Sequence, residues 1–444
     1  MELTPVTTPA STTAEQDARD LHSDHHHEAD PGEISIGVII GRTSEFFDFF
    51  VFAIATVLVF PARIFPFVDP LTGTAYAFAV FALAFLARPL GTVFFMWVDR
   101  HYGRGAKLTS AIFLLGTSTV AMGFIPSYDT LGVWSIWILC ILRIGQGFAL
   151  GGAWDGLASL LALHAPENKR GWYAMIPQLG APLGLIVASG LFFYLVNSLT
   201  AEDFLDWGWR YPFFVAFAIN VVALFARLRI VVTPEYEEMF TNRELQPTLV
   251  GETLRHESRN ILIGSFTPLA SFALFHMVTV FPLSYVFLFT DQSPARFLII
   301  EVVGAIVGLF AVLTSGFIAD QFGRRTLLAW SAVLIGVFAL VAPLLLSGGE
   351  LGELLYMIVG FILLGLSFGQ SSGAVASRFS TTYRYTGSAV TSDIAWLIGA
   401  GFAPLVALWL TSNLGLWTAG AYLLSGAIVT LLALRVNKML DLRS

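Results

Sequence analysis

Long apolar runs separated by short polar breaks set the rhythm of this chain. Twelve stretches, at 34–60, 72–98, 106–126, 132–163, 171–197, 209–230, 259–289, 295–319, 326–346, 351–379, 385–411 and 415–436, are predominantly apolar. Each is long enough for an α-helix to cross the hydrocarbon core. The alternating segments of about ten residues that membrane strands require are absent. Several runs exceed a perpendicular span, which predicts tilt or kinks. Breaks are short except at 231–258, a polar stretch that divides six spans from six. The pattern predicts an all-α membrane protein with twelve transmembrane helices in two six-helix bundles. These occupy 34–230 and 259–436, with a polar tail at 1–33, a linker at 231–258 and a short tail at 437–444.

The second bundle repeats features of the first. The turn Val98-Asp-Arg-His-Tyr-Gly-Arg-Gly-Ala-Lys107 has a counterpart in Ala319-Asp-Gln-Phe-Gly-Arg-Arg-Thr326, and Asp99 and Asp320 lie 221 residues apart in a chain of 444. Gly180-Ala-Pro182-Leu-Gly184 is matched by Gly401-Phe-Ala-Pro404, with the two prolines 222 apart. Arg170-Gly171 and Arg384-Tyr-Thr-Gly387 open those same two spans. A repeat at half the chain length predicts two pseudo-symmetric bundles joined head to tail. Transporters need two mobile halves; receptors and membrane enzymes do not.

Composition agrees. Hydrophobic residues make up 56% of the chain, charged residues 12%, and the mean hydropathy is +0.74, whereas soluble chains carry about a quarter charged residues. The net charge of −7 says less than its distribution. Arg100, Arg104, Lys107, Lys169, Arg170, Arg227, Arg229, Arg243, Arg255, Arg259, Arg324, Arg325, Arg378, Arg384, Arg435, Lys438 and Arg443 fall in or beside alternate loops, the linker or the C-terminus; Arg63, Arg210 and Arg296 fall opposite. The positive-inside rule therefore predicts cytoplasmic termini, with Trp134, Trp207, Trp209 and Trp417 near the outer interface. A single cysteine, Cys140, excludes an intrachain disulfide. No cleavable signal precedes the first span, which is expected to remain. His25-His26-His27 beside Asp24 and Glu28 is either a metal or pH-sensing cluster or, as preferred here, a solvated one in a tail too polar to fold. No phosphate loop, zinc-binding helix motif or nucleophile elbow stands out. Neither ATP-driven transport nor hydrolysis is expected, and no cofactor or metal.

At the residues of the charged turns the chain resembles the major facilitator superfamily, and more narrowly the bacterial metabolite:proton symporters. The likeness runs from about residue 37 to 436. It is carried also by Glu45-Phe-Phe-Asp48-Phe49, Phe85-Leu-Ala-Arg88-Pro89-Leu-Gly91, Arg143-Ile-Gly-Gln146-Gly147 with Gly151-Gly152, Pro177-Gln178-Leu-Gly180, Trp207-Gly-Trp-Arg210 with Pro212-Phe213, and Arg384-Tyr-Thr-Gly387. The chain departs from that pattern at Ala153-Trp154-Asp155-Gly156, where the family has Glu-Trp-Gly-Gly, at Ser377 beside Arg378, and at Asp393 in place of an amide. The resemblance implies alternating access, proton-coupled uptake of an organic acid or zwitterion, and a conformational gate at the charged turns. The partners expected are a small solute, protons and the lipid bilayer, with no nucleic acid, the chain working as a monomer. A proton-linked exporter of amphipathic compounds is the alternative, and a non-transporting receptor the alternative of another class.

An ionisable group inside a span costs about 2.5–3.5 kcal/mol on insertion scales, so each is a candidate for function. Arg42, Glu45 and Asp48 share one helix face by their i, i+3 spacing. Glu45 and Asp48 are proton-coupling candidates, because a carboxylate that moves between dry and wet surroundings changes its proton affinity; a structural Arg42–Glu45 pair is the alternative. Arg88, about 16 Å inward of Asp99 by helical rise, can hold a substrate carboxylate by two hydrogen bonds or serve as counter-ion to an acid of span 1 or 11. Arg143 and Glu301 are assigned to coupling, with a conformational lock the alternative for Arg143. Gln146, Gln178, Asp155 and Asp393 are assigned to substrate, although buried amides are often helix–helix contacts. If several of Asp155, Glu301 and Asp393 face the cavity, the site suits an anion less and admits a cationic or zwitterionic solute; the alternative for Glu301 and Asp393 is a salt bridge with Arg378 or Arg384, or a position near a helix end. His276 titrates near neutral pH in water, but a satisfied core histidine is the preferred reading. Phe46, Phe47, Trp154, Tyr285 and Trp396 either line a cavity or, as preferred, pack in the core or against lipid. Asp99, Gly103, Arg104, Asp320, Gly323, Arg324 and Arg325 form the gate, or else contact anionic lipid.

Overall fold

Among the described residues, ten helices are each long and apolar enough to cross a membrane, by length and composition. One of them, Pro70–Met122, is two helices meeting at Gly103, whose φ of 84° and ψ of 169° are open only to glycine. A further helix, Pro31–Leu58, carries Arg42, Glu45 and Asp48 in its apolar run. The computed structural model describes residues 31–153, 161, 165–231, 246–376 and 379–436, and twelve spans stand among them. We number them α1 (Pro31–Leu58), α2 and α3 (Pro70–Met122, divided at Gly103), α4 (Val133–Gly152), α5 (Arg170–Ser198), α6 (Tyr211–Val231), α7 (Leu269–Phe289), α8 (Pro294–Phe322), α9 (Arg324–Leu346), α10 (Gly349–Ala374), α11 (Arg384–Leu414) and α12 (Trp417–Val436).

The turn between α8 and α9 repeats the one between α2 and α3: Gly323 also has a φ of 84°. Within the first half α1 packs on α5 and α6, and α2 on α4; within the second α8 packs on α10, and α9 and α7 on α12. The halves meet where α5 lies against α8 and α11 against α2. These two contacts exchange under the half-chain repeat.

The expected kinks fall at prolines, which lack an N–H to continue the helix. A 3₁₀ turn, Ile176–Leu179, interrupts α5 at Pro177; a helix from Val250 to Phe266 leads into α7 and breaks at Pro268; α11 carries a π turn, Leu397–Gly401, just before Pro404. The helix at Val250 begins inside the polar stretch expected as linker, and α4 ends at Gly152, earlier than the apolar run suggests. Trp134, Trp207 and Trp417 are exposed as an interfacial belt requires, but Trp209 is not: it is buried edge-on against Phe60 and Phe213. A tryptophan next to a span end reads as interfacial in sequence, yet this one faces the bundle.

Candidate functional site

Three glycine contacts draw α2 and α4 together and so aim their arginines at one space. A Cβ at Gly147 would lie 2.2 Å from the Ala84 carbonyl oxygen, and one at Gly151 would lie 2.4 Å from that of Arg88. Gly91 makes the reciprocal approach to Phe148. Beside this seam is a small cavity of about 40 Å³ lined by Arg42, Glu45, Phe46, Phe49, Ala84, Phe85, Arg88, Arg143, Leu150 and Trp396. All but Trp396 come from the first half.

Arg88 crosses to the second half. Its Nε lies 2.7 Å from Asp393 Oδ1, and the Thr92 hydroxyl donates to Asp393 Oδ2 at 2.5 Å. Arg88 therefore has the span 11 counter-ion that the sequence left open, and Asp393 pairs with it rather than with Arg384; Arg378 lies outside the described residues.

Glu45 sits between two guanidinium groups, receiving hydrogen bonds at 2.5 Å from both Arg42 and Arg227. Arg227 also donates to the Ala153 carbonyl. Asp48 is bound differently, by neutral donors: Thr119 at 2.9 Å and the Gln146 amide at 3.4 Å. The carbonyl of Gln146 accepts from Arg143 at 2.9 Å. Asp48, Gln146 and Arg143 thus form one buried chain in which an amide bridges acid and base. Arg143 completes its surroundings with the Phe81 carbonyl at 3.3 Å and the Phe52 ring, 3.9 Å from its guanidinium carbon. It has no ion-pair partner among the described residues, and its Nη2 makes no hydrogen bond.

Other candidates lie apart from this cluster. Glu301 is buried where α8 meets α5, accepting from Ser189 at 2.9 Å, with its Oε1 unpaired. Gln178 is buried with its Oε1 unpaired. Phe46 and Trp396 line the cavity; Phe47 is core, and Tyr285 packs between Phe281 and Phe289. His276 is buried but, contrary to the preferred reading, not satisfied: neither ring nitrogen has a partner among the described residues. Asp155, Trp154 and the His25–His27 cluster lie outside the described residues.

Residues 34–258 match the family of sugar (and other) transporters. Over 422 residues, 93% of this chain and 96% of the relative, the sequence is 36% identical to the inner membrane metabolite transport protein YhjE of Escherichia coli (strain K12). The chain belongs to the major facilitator superfamily. Other relatives in this superfamily are the shikimate transporter of the same organism, 31% identical over 89% of this chain and 92% of that one, and its proline/betaine transporter, 30% identical over 88% and 80%. The fold is that of a D-xylose-proton symporter crystal structure, with a TM-score of 0.70, 18% identity, and 92% of this chain and 97% of that one covered. The protein is accordingly a multi-pass membrane transporter and not an enzyme.

In major facilitator terms the two charged turns stand at one end of both bundles. Asp99 is buried against Arg104 at 3.2 Å and Lys107 at 3.6 Å, and Lys107 donates to the Tyr385 hydroxyl of α11 at 2.6 Å. Asp320 accepts from the backbone N–H groups of Gly171 and Trp172, at 2.6 and 3.1 Å, at the start of α5. Arg324 reaches Gln370 and the Arg170 carbonyl; Arg325 reaches the Leu434 carbonyl of α12. Sequence reasoning missed Lys107, Arg227, Tyr385, Thr92 and Gln370. Lys107 and Arg227 were visible only as orientation signals, yet both side chains are buried. Tyr385 stood inside a repeated motif that was read only for its ends.

Proposed function

We propose that this chain is a proton-coupled symporter that takes up a small organic anion by alternating access, in a bacterial inner membrane with both termini cytoplasmic, working as a monomer. The observation that carries the reading is Arg143, a buried cation with a free donor, linked through one amide to the carboxylate of Asp48. With Asp48 ionised, its charge offsets that of Arg143 across Gln146. With Asp48 protonated, the Arg143 charge is free for a solute anion. Proton and anion then bind together, and the central site is exposed to each side in turn as the halves rock. Asp48 suits this role better than Glu45, whose two guanidinium partners would have to be abandoned.

Three arginines and one glutamate line the cavity, which favours an anion over a cation or an amphipathic base. Glu301 does not line it, and Asp393 is already paired with Arg88, which supports an anion rather than a cation; Asp155, the third acid in question, lies outside the described residues. Arg88 and Asp393 join opposite halves and must part when they separate, which would release Arg88 to the solute. Glu301 and Gln178, each with an unpaired oxygen, are secondary candidates for proton and solute. In proteoliposomes an inward-directed proton gradient should drive accumulation of a labelled organic acid, and a protonophore should abolish it. Asp48→Asn should lose gradient-driven accumulation while retaining solute exchange. Accumulation indifferent to the gradient would end the coupling proposal.

A further inference from the structure

His276 on α7 is fully buried, and aromatic rings enclose it. Phe49 stacks on it at 5.3 Å with 21° between the planes, and Phe81, Phe85 and Phe275 present edges at 5.3, 5.9 and 5.3 Å. Neither ring nitrogen has a hydrogen-bond partner among the described residues. A neutral imidazole carries one donor and one acceptor, and burying both unpaired is unfavourable. A phenylalanine would suit the same surroundings without that penalty. Close by stands the Arg143 guanidinium, 4.9 Å from the centre of the Phe81 ring and 6.0 Å from that of Phe49. It too has an unpaired nitrogen. Each half therefore brings one unsatisfied polar group to the same aromatic layer, and Phe49 of that layer lines the cavity.

We propose that His276 is a solute-binding residue that selects anions carrying a hydroxyl or carbonyl group beside their carboxylate. The inference rests on the transport reading above. With Phe49 turned aside, the carboxylate takes the free Arg143 donor, while a hydroxyl donates to the bare imidazole nitrogen or a carbonyl accepts from the imidazole N–H. Such a solute would satisfy both orphaned groups at once and bridge the two halves. A site built to pair with a hydroxyl discriminates strongly against the analogue lacking one, because its polar groups then stay unpaired.

The test compares wild type, His276→Phe and His276→Gln in proteoliposomes, using labelled pairs that differ by a hydroxyl: glycolate against acetate, and malate against succinate. Thermal unfolding of each purified protein is measured in parallel. Wild type should prefer the hydroxylated member of at least one pair by about 10-fold or more in kcat/KM. His276→Phe should erase that preference and raise Tm, since an unpaired polar group is removed; His276→Gln, which keeps a donor and an acceptor, should retain part of it. A preference unchanged in His276→Phe, no preference in wild type, or a fall in Tm showing that the imidazole is needed for packing, would overturn the inference alone. No uptake of any organic acid by wild type would overturn the transport reading and this inference with it.

Discussion

Asp99 and Asp320 end α2 and α8, each ahead of a glycine with a φ of 84°, and each meets the first turn of a helix from the other half. From there they differ. Asp99 is the anion of a side-chain cluster, with Arg104 and Lys107 around it and the Tyr385 ring beneath both cations, 4.4 Å from Arg104 and 5.1 Å from Lys107. Asp320 caps a helix, placing its carboxylate on two backbone amides at the positive end of α5. One sequence signature thus yields two kinds of clasp. The first depends on neutralising buried charge and the second on a close backbone approach, and substitutions should separate them.

Asp99→Ala should have the largest effect. It removes the carboxylate that Arg104 and the fully buried Lys107 both face, and breaking a buried ion pair from one side costs about 3–5 kcal/mol. Separating the halves would hydrate both cations, so the loss should appear as a population shift toward an open charged-turn end, on the order of 10²–10³-fold. A reporter cysteine replacing Ala389, buried in the apolar cluster between the halves at that end, would read it in a Cys140→Ser background. Labelling by an impermeant maleimide should accelerate accordingly; an unchanged rate would show that the cluster does not hold the halves together.

Much of this fold is legible in the sequence. The bilayer demands about 20 apolar residues per crossing, so twelve spans and the half-chain repeat could be read directly. Charge inside α1 marked Glu45 and Asp48 for the same reason. Pairings were not legible. Arg88 and Asp393 are 305 residues apart in the chain and meet only because α2 and α11 pack across the halves, and no periodicity links them. Lys107 and Arg227 escaped notice because a basic residue near a span end usually marks the interface; here neighbouring helices cover them. The state of His276 is not legible either, since a satisfied histidine and an orphaned one have the same letter.

Gly171→Ala should act on the second clasp alone, with a smaller effect. A Cβ there would lie 2.7 Å from the Ala319 Cβ, 2.8 Å from Asp320 Oδ1 and 2.9 Å from the Gly316 carbonyl oxygen. Backbone must move, and overpacking of this kind costs about 1–3 kcal/mol. Because α5 and α8 would be wedged apart, the same reporter should label about 10- to 100-fold faster. An alanine tolerated with no change would mean that the two helices slide past each other freely and that the approach is incidental.

Asp320→Asn should have the smallest effect, and it sharpens the contrast most. Asparagine keeps the size and one acceptor oxygen, so a single hydrogen bond to the amides of Gly171 and Trp172 can persist. What disappears is the negative charge at the helix N-terminus, worth about 0.3–1 kcal/mol at exposed sites and up to ~2 kcal/mol in partly buried ones. The reporter should therefore respond by no more than about 2- to 30-fold. High salt should leave the difference between Asp320→Asn and wild type largely intact, because partly buried charge is screened weakly. If Asp320→Asn instead opens the end as strongly as Asp99→Ala, then Asp320 neutralises a cation as Asp99 does. Arg324, which already reaches across to the Arg170 carbonyl, would be the group to examine, and the two clasps would be one device used twice.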